Sequence, residues 1–299
     1  MQSSSTTRPA RYLVGAVASV IGAFFFVMGV EPVSAATFNT AHHNVAKDEI
    51  GGLESIINTN LPLTISVNQI CVGFDYDQLV ATLVYWDYGI QPLTTQPDSP
   101  SCNDNSFRLL VATRGVVTQT NQTNGNLAGY YPSTIQPFWN SNPWNRKGWS
   151  CLRAAYATRE WYICSTHLTG DADYDHRAKQ QSDYMRQTVI GGFESGVIRI
   201  VSGDLNLVPA PNMGRQYNAG LWYNQYREAD QLRYNSGNHH FTSSVCPAIC
   251  KIDYTFVSSA LSDDVANPPE PNRCGSGSTI PSSSWPSDHC LLYGSFQWK

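Results

Sequence analysis

The chain has 299 residues, a formal net charge of −4 and a charged share of 14%. This balance excludes a protein that holds nucleic acid stoichiometrically, because such binding needs several cations that neutralise phosphates together. It leaves open an enzyme that contacts a few phosphates and releases its substrate, and also a secreted lectin-like or inhibitory domain.

The N-terminal segment has the pattern of a signal peptide. Two arginines precede an apolar run from Tyr12 to Val30, and a stretch of small residues over 33–36 follows it. The run is long enough to span a bilayer, so an uncleaved membrane anchor is the alternative, but its glycines and the small-residue stretch favour cleavage. We therefore predict a signal peptide over 1–36 and a secreted, single-domain mature chain over 37–299 that makes no integral membrane contact.

The cysteines predict disulfide bonds. All eight lie in the mature part, and an even number in an oxidising compartment indicates disulfides. Eight cysteines allow 105 connectivities, so pairing between sequence neighbours is one hypothesis among many. It joins Cys71 to Cys102, Cys151 to Cys164, Cys246 to Cys250, and Cys274 to Cys290. A structural zinc site is disfavoured, because only one cysteine pair has a spacing close to that of zinc ligands.

Hydrophobic spacing predicts alternating helices and strands in the first half of the mature chain. In order, these are a helix over 43–58, a strand over 61–70, a helix over 75–85, a loop over 91–106, and two paired strands over 107–113 and 115–119. The segment 120–149 is rich in Asn, Gly, Pro and Trp and has no regular pattern. Loops of this length in a compact domain are usually functional or mobile.

The second half continues the mixture of strands and helices. The predicted elements are a hairpin over 151–156 and 160–166, a helix over 173–190, and strands over 197–202, 251–258 and 290–296. Because the strands are joined by hairpins as often as by crossovers, the pattern favours an α+β sandwich over a doubly wound sheet.

Four short segments place an acid, an amide or an imidazole next to an apolar strand. They cover 162–167, 200–206, 251–257 and 287–292. Strand ends hold side chains rigidly and expose them on one rim, where a site can form from distant parts of a sequence. Asp204 and Asn206 are two positions apart, so on an extended chain both side chains point the same way. We therefore expect these polar groups to form one site.

Together and in this order, the segments resemble the motifs of the endonuclease/exonuclease/phosphatase superfamily, the fold of deoxyribonuclease I. The opening residues 37–40 resemble the first strand of that family, 165–168 its histidine strand, and the sequences SGDLN, KIDYTFVS and SDHCLLYGSF its last three motifs. The resemblance covers nearly the whole mature chain. It implies a four-layered α/β/β/α sandwich, with two mixed sheets flanked by helices, which hydrolyses a phosphoester with Mg²⁺ or, alternatively, Mn²⁺ or Ca²⁺.

The resemblance also implies the roles of the base and of its partners. His289 would be the general base that takes a proton from the attacking water, and Asp253 would hold the other ring nitrogen and stabilise the imidazolium. An unperturbed imidazole titrates near neutrality, which suits that role. His167 would donate to a phosphate oxygen as negative charge builds up on it.

The remaining residues implied by the resemblance concern water, phosphate and metal. Asp204 and Asn206 would orient the water and the phosphate, and Asp288 and Asn39 would serve the metal. The main metal ligand of the family is a glutamate at the end of the second core strand, and the aligned residue here is Gln69. A neutral amide binds a hard cation less well than a carboxylate does. This departure predicts weakened metal binding or loss of activity.

The motifs predict a monomeric, divalent-metal-dependent phosphodiesterase that contacts nucleic acid transiently. Because the motifs recognise the phosphate and not the group attached to it, a sphingomyelinase-like or inositol-phosphate phosphatase activity is the alternative within the fold. A catalytically silent secreted binding subunit is the alternative outside catalysis, and Gln69 is its main support. The adjacent pairs His42–His43 and His239–His240 lack further ligands at metal-site spacing and are predicted to be exposed loop residues.

Overall fold

The computed structural model describes residues 37–45, 50–96, 107–121, 123–136, 146–170, 175–207, 222, 225–229, 252–264, 289 and 291–299. The predicted signal peptide and Asp288 lie outside these ranges. None of the helices within them is long and apolar enough to cross a membrane.

Two sheets and three helices make up the regular structure of the described residues. The strands are β1 (Thr37–Asn44), β2 (Thr64–Cys71), β3 (Gly89–Gln96), β4 (Phe107–Thr113), β5 (Val116–Gln119), β6 (Ala128–Tyr130), β7 (Gly148–Tyr156), β8 (Arg159–His167), β9 (Ile198–Asp204), β10 (Tyr226–Glu228), β11 (Asp253–Ser258), β12 (Ser262–Asp264) and β13 (Leu292–Trp298). The helices are α1 (Gly51–Asn60), α2 (Phe74–Tyr85) and α3 (Asp175–Tyr184), which a π-helical turn (Met185–Val189) continues. A 3-10 turn covers Ser133–Ile135.

Each sheet contains one parallel pair of strands within an otherwise antiparallel arrangement. The first sheet has the order β12-β13-β1-β2-β4-β3, with β1 and β2 parallel. The second has the order β10-β11-β9-β8-β7-β5, with β6 also paired to β7 and with β8 and β9 parallel. Both sheets are therefore mixed.

Three buried apolar clusters hold these elements together in four layers. The cluster between the two sheets includes Phe38 and Trp161. On the outer face of the first sheet, α1 and α2 contribute Leu53 and Leu79, and on the outer face of the second sheet the turn after α3 contributes Met185. Helices α1 and α2 each bury one apolar stripe, as expected for a helix that covers a sheet. The predicted α/β/β/α sandwich is confirmed.

Three of the predicted elements need correction. Strand β1 continues to Asn44 and helix α1 begins only at Gly51, because His43 and Asn44 pair with β2 instead of starting the helix. The predicted loop over 91–106 begins as strand β3, an edge strand, where polar residues and a proline are tolerated. Strands β4 and β5 do not pair with each other, because they belong to different sheets.

The hairpin of β7 and β8 agrees with its prediction. Cys151 and Cys164 stand directly opposite each other in this pair and form a disulfide, which confirms one of the four predicted pairings. Cys71 is disulfide-bonded as well. The other five cysteines lie outside the described residues.

Candidate active site

Strand directions bring the predicted polar residues to one end of the sandwich. The parallel strands β8 and β9 end at His167 and Asp204, which pair in register. Strand β11 is antiparallel to β9, so it begins at Asp253, opposite Asp204. His289 precedes β13, which is antiparallel to β1 and therefore begins at the end where β1 finishes with Asn44. Strand pairing thus places the five side chains at strand ends, and contacts between the two sheets bring them to one rim.

His289 and Asp253 form a buried pair. His289 Nδ1 lies 2.9 Å from Asp253 Oδ2, and Asp253 is completely buried. Burial acts to raise the pKa of Asp253, but the attraction and hydrogen bond of His289, and then those of His42, lower that pKa well below its usual range. Asp253 is therefore ionised and accepts the Nδ1 proton. The lone pair of His289 is consequently on Nε2.

The Nε2 atom of His289 faces Asn44 and Asp204. Asn44 Nδ2 lies 3.4 Å from His289 Nε2 and donates to Asp204 Oδ2 at 3.1 Å, so one amide group serves both neighbours. His289 Nε2 lies 3.8 Å from Asp204 Oδ2. This spacing exceeds a direct hydrogen bond. The arrangement leaves the basic nitrogen next to a carboxylate, on the side away from Asp253.

The ionised form of Asp204 is less stabilised by its neighbours than that of Asp253. Its Oδ1 accepts from the backbone N–H of Asn206 at 2.9 Å. Burial, followed by repulsion from ionised Asp253, raises the pKa of Asp204 to about 7, although His289, the Asn206 N–H and Lys147 oppose the shift. At neutral pH this group is divided between its two protonation states. A positively charged ligand near Asp204 would favour the ionised form.

Lys147 and His167 lie beside Asp204. Lys147 Nζ is 3.3 Å from His167 Nδ1, and His167 Nε2 is 3.6 Å from Asp204 Oδ2. Burial lowers the pKa of Lys147 to about 8, against the attraction of Asp204. Burial, then Lys147, then His289 lower the pKa of His167 well below its usual value. At neutral pH Lys147 is mostly charged and donates to Nδ1, so neutral His167 carries its proton on Nε2.

The geometry of Asn206 differs from the prediction. Asn206 has a positive φ of 51° just after β9, so the chain is not extended there and its side chain does not follow that of Asp204. Its Nδ2 donates to the carbonyl of Leu168 at 3.1 Å, and its backbone N–H supports Asp204. The assigned role in orienting water and phosphate stays a prediction for this side chain.

Of the two predicted metal residues Asn39 and Gln69, the first is not brought to the cluster. Asn39 accepts a hydrogen bond from Ser295 and lies five positions before Asn44, roughly 17 Å back along β1. The prediction for Asn39 is corrected, because the strand runs on and its last residue is Asn44. Gln69 has a φ of 53° at an irregularity of β2, and Asn68 is the residue in register with Asn44. The second core strand thus ends in amides at both positions.

Sequence reasoning missed His42, Asn44, Asn68 and Lys147. His42 and His43 are buried in β1, so the prediction of exposed loop residues is wrong for this pair. The alternation of His42 and Asn44 on one face of a strand was a usable signal, but a helix was predicted to begin at residue 43. No local pattern identifies Lys147, which reaches His167 from the residue before β7. The pair His239–His240 and Asp288 lie outside the described residues.

The donor atoms offer a limited cation site. Among the described residues, ligand atoms of Asp204, Asp253 and His289 all lie within 4.8 Å of one another. Both oxygens of Asp253 face imidazole nitrogens, however, and His289 Nδ1 is used by that carboxylate. Asp204 is therefore the carboxylate of this group that faces a ligand directly. Such a donor set fits a hard cation that keeps several of its waters, as Mg²⁺ often does.

Comparison with known proteins supports the fold. No protein-family model and no curated protein matches the sequence. The catalytic domain of human nocturnin with bound sulfate is 17% identical, with a TM-score of 0.58 over 88% of this chain and 94% of that one. This chain has the endonuclease/exonuclease/phosphatase fold. An endonuclease/exonuclease/phosphatase protein from Beutenbergia cavernae DSM 12333 is 14% identical, with a TM-score of 0.59 over 88% and 72% of the two chains. TDP2 from D. rerio with a single-strand DNA product is 16% identical, with a TM-score of 0.52 over 87% and 98%.

Proposed function

We propose that this protein is a member of the endonuclease/exonuclease/phosphatase superfamily that hydrolyses phosphodiesters, with nucleic acid as the substrate. The observation that carries the proposal is the contact of His289 Nδ1 with buried Asp253 at 2.9 Å, which leaves Nε2 directed towards the rim. A solved structure of the same fold holds a single-strand DNA product, which supports this substrate class. The acidic balance of the chain agrees with a substrate that is held only transiently.

The reaction uses His289 as the general base. Nε2 accepts a proton from water as the water oxygen attacks phosphorus, and the bond from phosphorus to the leaving oxygen breaks. Asp253 keeps the ring in the required tautomer and stabilises the imidazolium that forms. Asp204, which faces Nε2, accepts the second hydrogen of the water and so orients it.

The groups beside Asp204 bind the phosphate. Lys147 carries a positive charge at neutral pH, and neutral His167 presents an N–H on Nε2. Both are donors to non-bridging phosphate oxygens, on which negative charge develops in the transition state. Charged donors make stronger hydrogen bonds than neutral ones, so Lys147 contributes the larger part of this attraction.

A divalent cation, Mg²⁺ or alternatively Mn²⁺ or Ca²⁺, belongs to this proposal. Asp204 would hold it, together with Asp288 as the sequence predicts, and a bound cation supplies Lewis-acid stabilisation of the phosphate. Asn68 and Gln69 are amides where a carboxylate would add a strong ligand, so we expect the affinity for the cation to be low. Lys147 offsets part of this loss with a charge of its own.

We also propose that the protein is secreted as a monomer after removal of residues 1–36. The N-terminal pattern and the disulfide between Cys151 and Cys164 both agree with an oxidising compartment. N-terminal sequencing of the protein from culture medium checks the cleavage site. A protein that stays with the membrane and keeps its first residues would contradict the proposal.

Hydrolysis of bis(p-nitrophenyl) phosphate and of plasmid DNA tests the proposed reaction. The protein is assayed with Mg²⁺, with Mn²⁺ and with a chelator, beside the variants His289→Ala and His176→Ala. His176 lies on α3 and makes none of the contacts described for the site, so its variant should keep full activity while His289→Ala loses it. Equal activity of both variants would contradict the role of His289. A folded protein that cleaves neither substrate would favour a lipid or sugar phosphate as substrate, or a silent binding subunit.

A further inference from the structure

His42 is a buried histidine that contacts the back of the proposed catalytic pair. It lies on β1 with 0% exposure, and its Nε2 is 3.4 Å from Asp253 Oδ1. Its Nδ1 is 3.1 Å from Ser66 Oγ on the neighbouring strand. Asp253 therefore has one imidazole on each carboxylate oxygen, His289 towards the rim and His42 towards the interior.

A path of hydrogen bonds runs from Asn68 through the hydroxyls of Ser165 and Ser66 to His42, and its donors fix the orientation of each group. Asn68 Nδ2 lies 2.8 Å from the carbonyl of Thr166, which can only accept, so Asn68 Oδ1 is an acceptor. The hydroxyl of Ser165 donates to that oxygen at 2.7 Å. Ser165 Oγ then accepts from the hydroxyl of Ser66 at 2.9 Å. Since each hydroxyl has a single proton, Ser66 Oγ accepts the Nδ1 proton of His42.

Two carbonyl groups that could also accept from these serine hydroxyls lie further away and do not change the direction of the hydrogen bonds. Ser66 Oγ is also 3.5 Å from the carbonyl of Ser202, and Ser165 Oγ is 3.4 Å from that of Val67. Both distances exceed those of the contacts within the path, and hydrogen bonds weaken as the distance grows. The path from Asn68 to His42 therefore keeps one direction of donation throughout.

Ionised Asp253 determines whether Nε2 of His42 carries a proton or a lone pair. A lone pair on Nε2 would face a carboxylate oxygen in a site without water access, and this contact would be repulsive. A proton on Nε2 turns the contact into an attractive, charge-assisted one. Because Ser66 already fixes a proton on Nδ1, the ring donates from both nitrogens.

We propose that His42 is a positioning residue that holds Asp253 through an Nε2–H donor and so fixes the carboxylate for His289. This inference rests on the proposed role of His289 as the base. With Oδ1 anchored by His42, rotation of the Asp253 carboxylate is restricted, and Oδ2 stays aligned with His289 Nδ1. Such alignment matters because small displacements of catalytic groups cost large factors in rate.

Two amide variants of His42 separate positioning from mere packing. In His42→Gln the terminal NH₂ occupies the place of Nε2 and can still donate to Asp253. In His42→Asn the shorter side chain replaces Nδ1, reaches Ser66 and leaves Asp253 Oδ1 without its donor. We expect kcat to fall about 10- to 100-fold in His42→Asn and to stay within about 3-fold of the wild type in His42→Gln. Equal losses in both folded variants would overturn the proposal.

Nitrogen-15 NMR of the histidine rings tests the contact without catalysis and without a variant. The wild-type protein, selectively labelled at histidine, should show His42 with protons on both nitrogens and His289 with a proton on Nδ1 alone. A lone pair on His42 Nε2 would overturn the proposal. If the wild type hydrolyses no substrate but the NMR result is as expected, the proposed function fails and the contact between His42 and Asp253 stands.

Discussion

On the base side of the site, formed by His289, Asp253 and His42, each carboxylate oxygen has an imidazole partner and the contacts lie deep between the sheets. On the phosphate side, formed by His167, Lys147 and Asp204, the contacts among the three residues are 3.3 Å and 3.6 Å long, and burial shifts all three pKa values towards the neutral forms. The base side is thus complete without a ligand. The phosphate side is organised to receive charge from a substrate or a cation.

The largest expected effect is on the base side. Asp253→Asn replaces the acceptor of the Nδ1 proton with a group of similar shape, so His289 adopts the wrong tautomer and loses its lone pair on Nε2. We expect kcat to fall about 10³-fold or more. Steady-state hydrolysis of bis(p-nitrophenyl) phosphate measures it. Asp183→Asn, on α3, is the matched control, and a comparable loss there would remove the distinction between the two carboxylates.

A smaller loss is expected on the phosphate side. Lys147→Met removes the positive donor, which should lower kcat/KM about 10- to 100-fold, the range for a hydrogen bond from a charged group. In the wild type, kcat/KM should also fall above pH 8 as Lys147 loses its proton. This alkaline limb should vanish in Lys147→Met and remain in Lys179→Met, a lysine on α3. A limb that persists without Lys147 would assign it to another group.

Asp204 links the phosphate side to stability. Its folded pKa of about 7 lies above the ordinary value, so the stability that protonated Asp204 contributes is complete below pH 3.8 and is lost as the pH rises through 7. Asp204→Asn should therefore raise the free energy of unfolding at pH 8 by roughly 1–3 kcal/mol, while hydrolysis is lost. Urea denaturation at pH 5 and pH 8 measures the change. Equal stabilisation at both pH values would contradict the assigned pKa shift.

The smallest effect concerns the amides at the end of β2. Asn68 is in register with Asn44, whereas Gln69 lies at the irregularity of the strand. Gln69→Glu should raise the affinity for Mn²⁺ by roughly 3- to 10-fold. Asn68→Asp should raise it less, because the buried amide of Asn68 already donates to the carbonyl of Thr166 and accepts from Ser165. Calorimetric titration with Mn²⁺ compares the two. A larger gain from Asn68→Asp would show that the metal lies on the side of Asn44.

The strand-end residues of both sides were predictable from the sequence, whereas His42 and Lys147 were not. Asp204, Asp253 and His289 each belong to a compact strand-end motif, and the contact between the sheets brings them together. The prediction that Asn39 serves the metal failed, because the end of β1, five residues further on, decides which asparagine reaches the rim. Lys147 could not be predicted, because its role depends on the approach of β7 to β8 and not on its sequence neighbours.

Long-range packing also explains the missed histidine. The adjacent pair His42–His43 was predicted to be exposed in a loop. Alternation along β1 instead directs the side chain of His42 between the sheets. Its partner Asp253 is 211 positions away in sequence. Local patterns identify the polar residues that follow several strands, but they identify contacts across the sandwich poorly.

Chemical rescue of His289→Gly by added imidazole tests most directly whether the base side acts through Nε2 of His289. The rate of bis(p-nitrophenyl) phosphate hydrolysis is measured with increasing imidazole in His289→Gly and in Asp253→Asn. We predict that imidazole restores part of the lost rate in His289→Gly and none in Asp253→Asn, where the ring is present in the wrong tautomer. Unchanged wild-type activity in His289→Gly without imidazole would contradict the account.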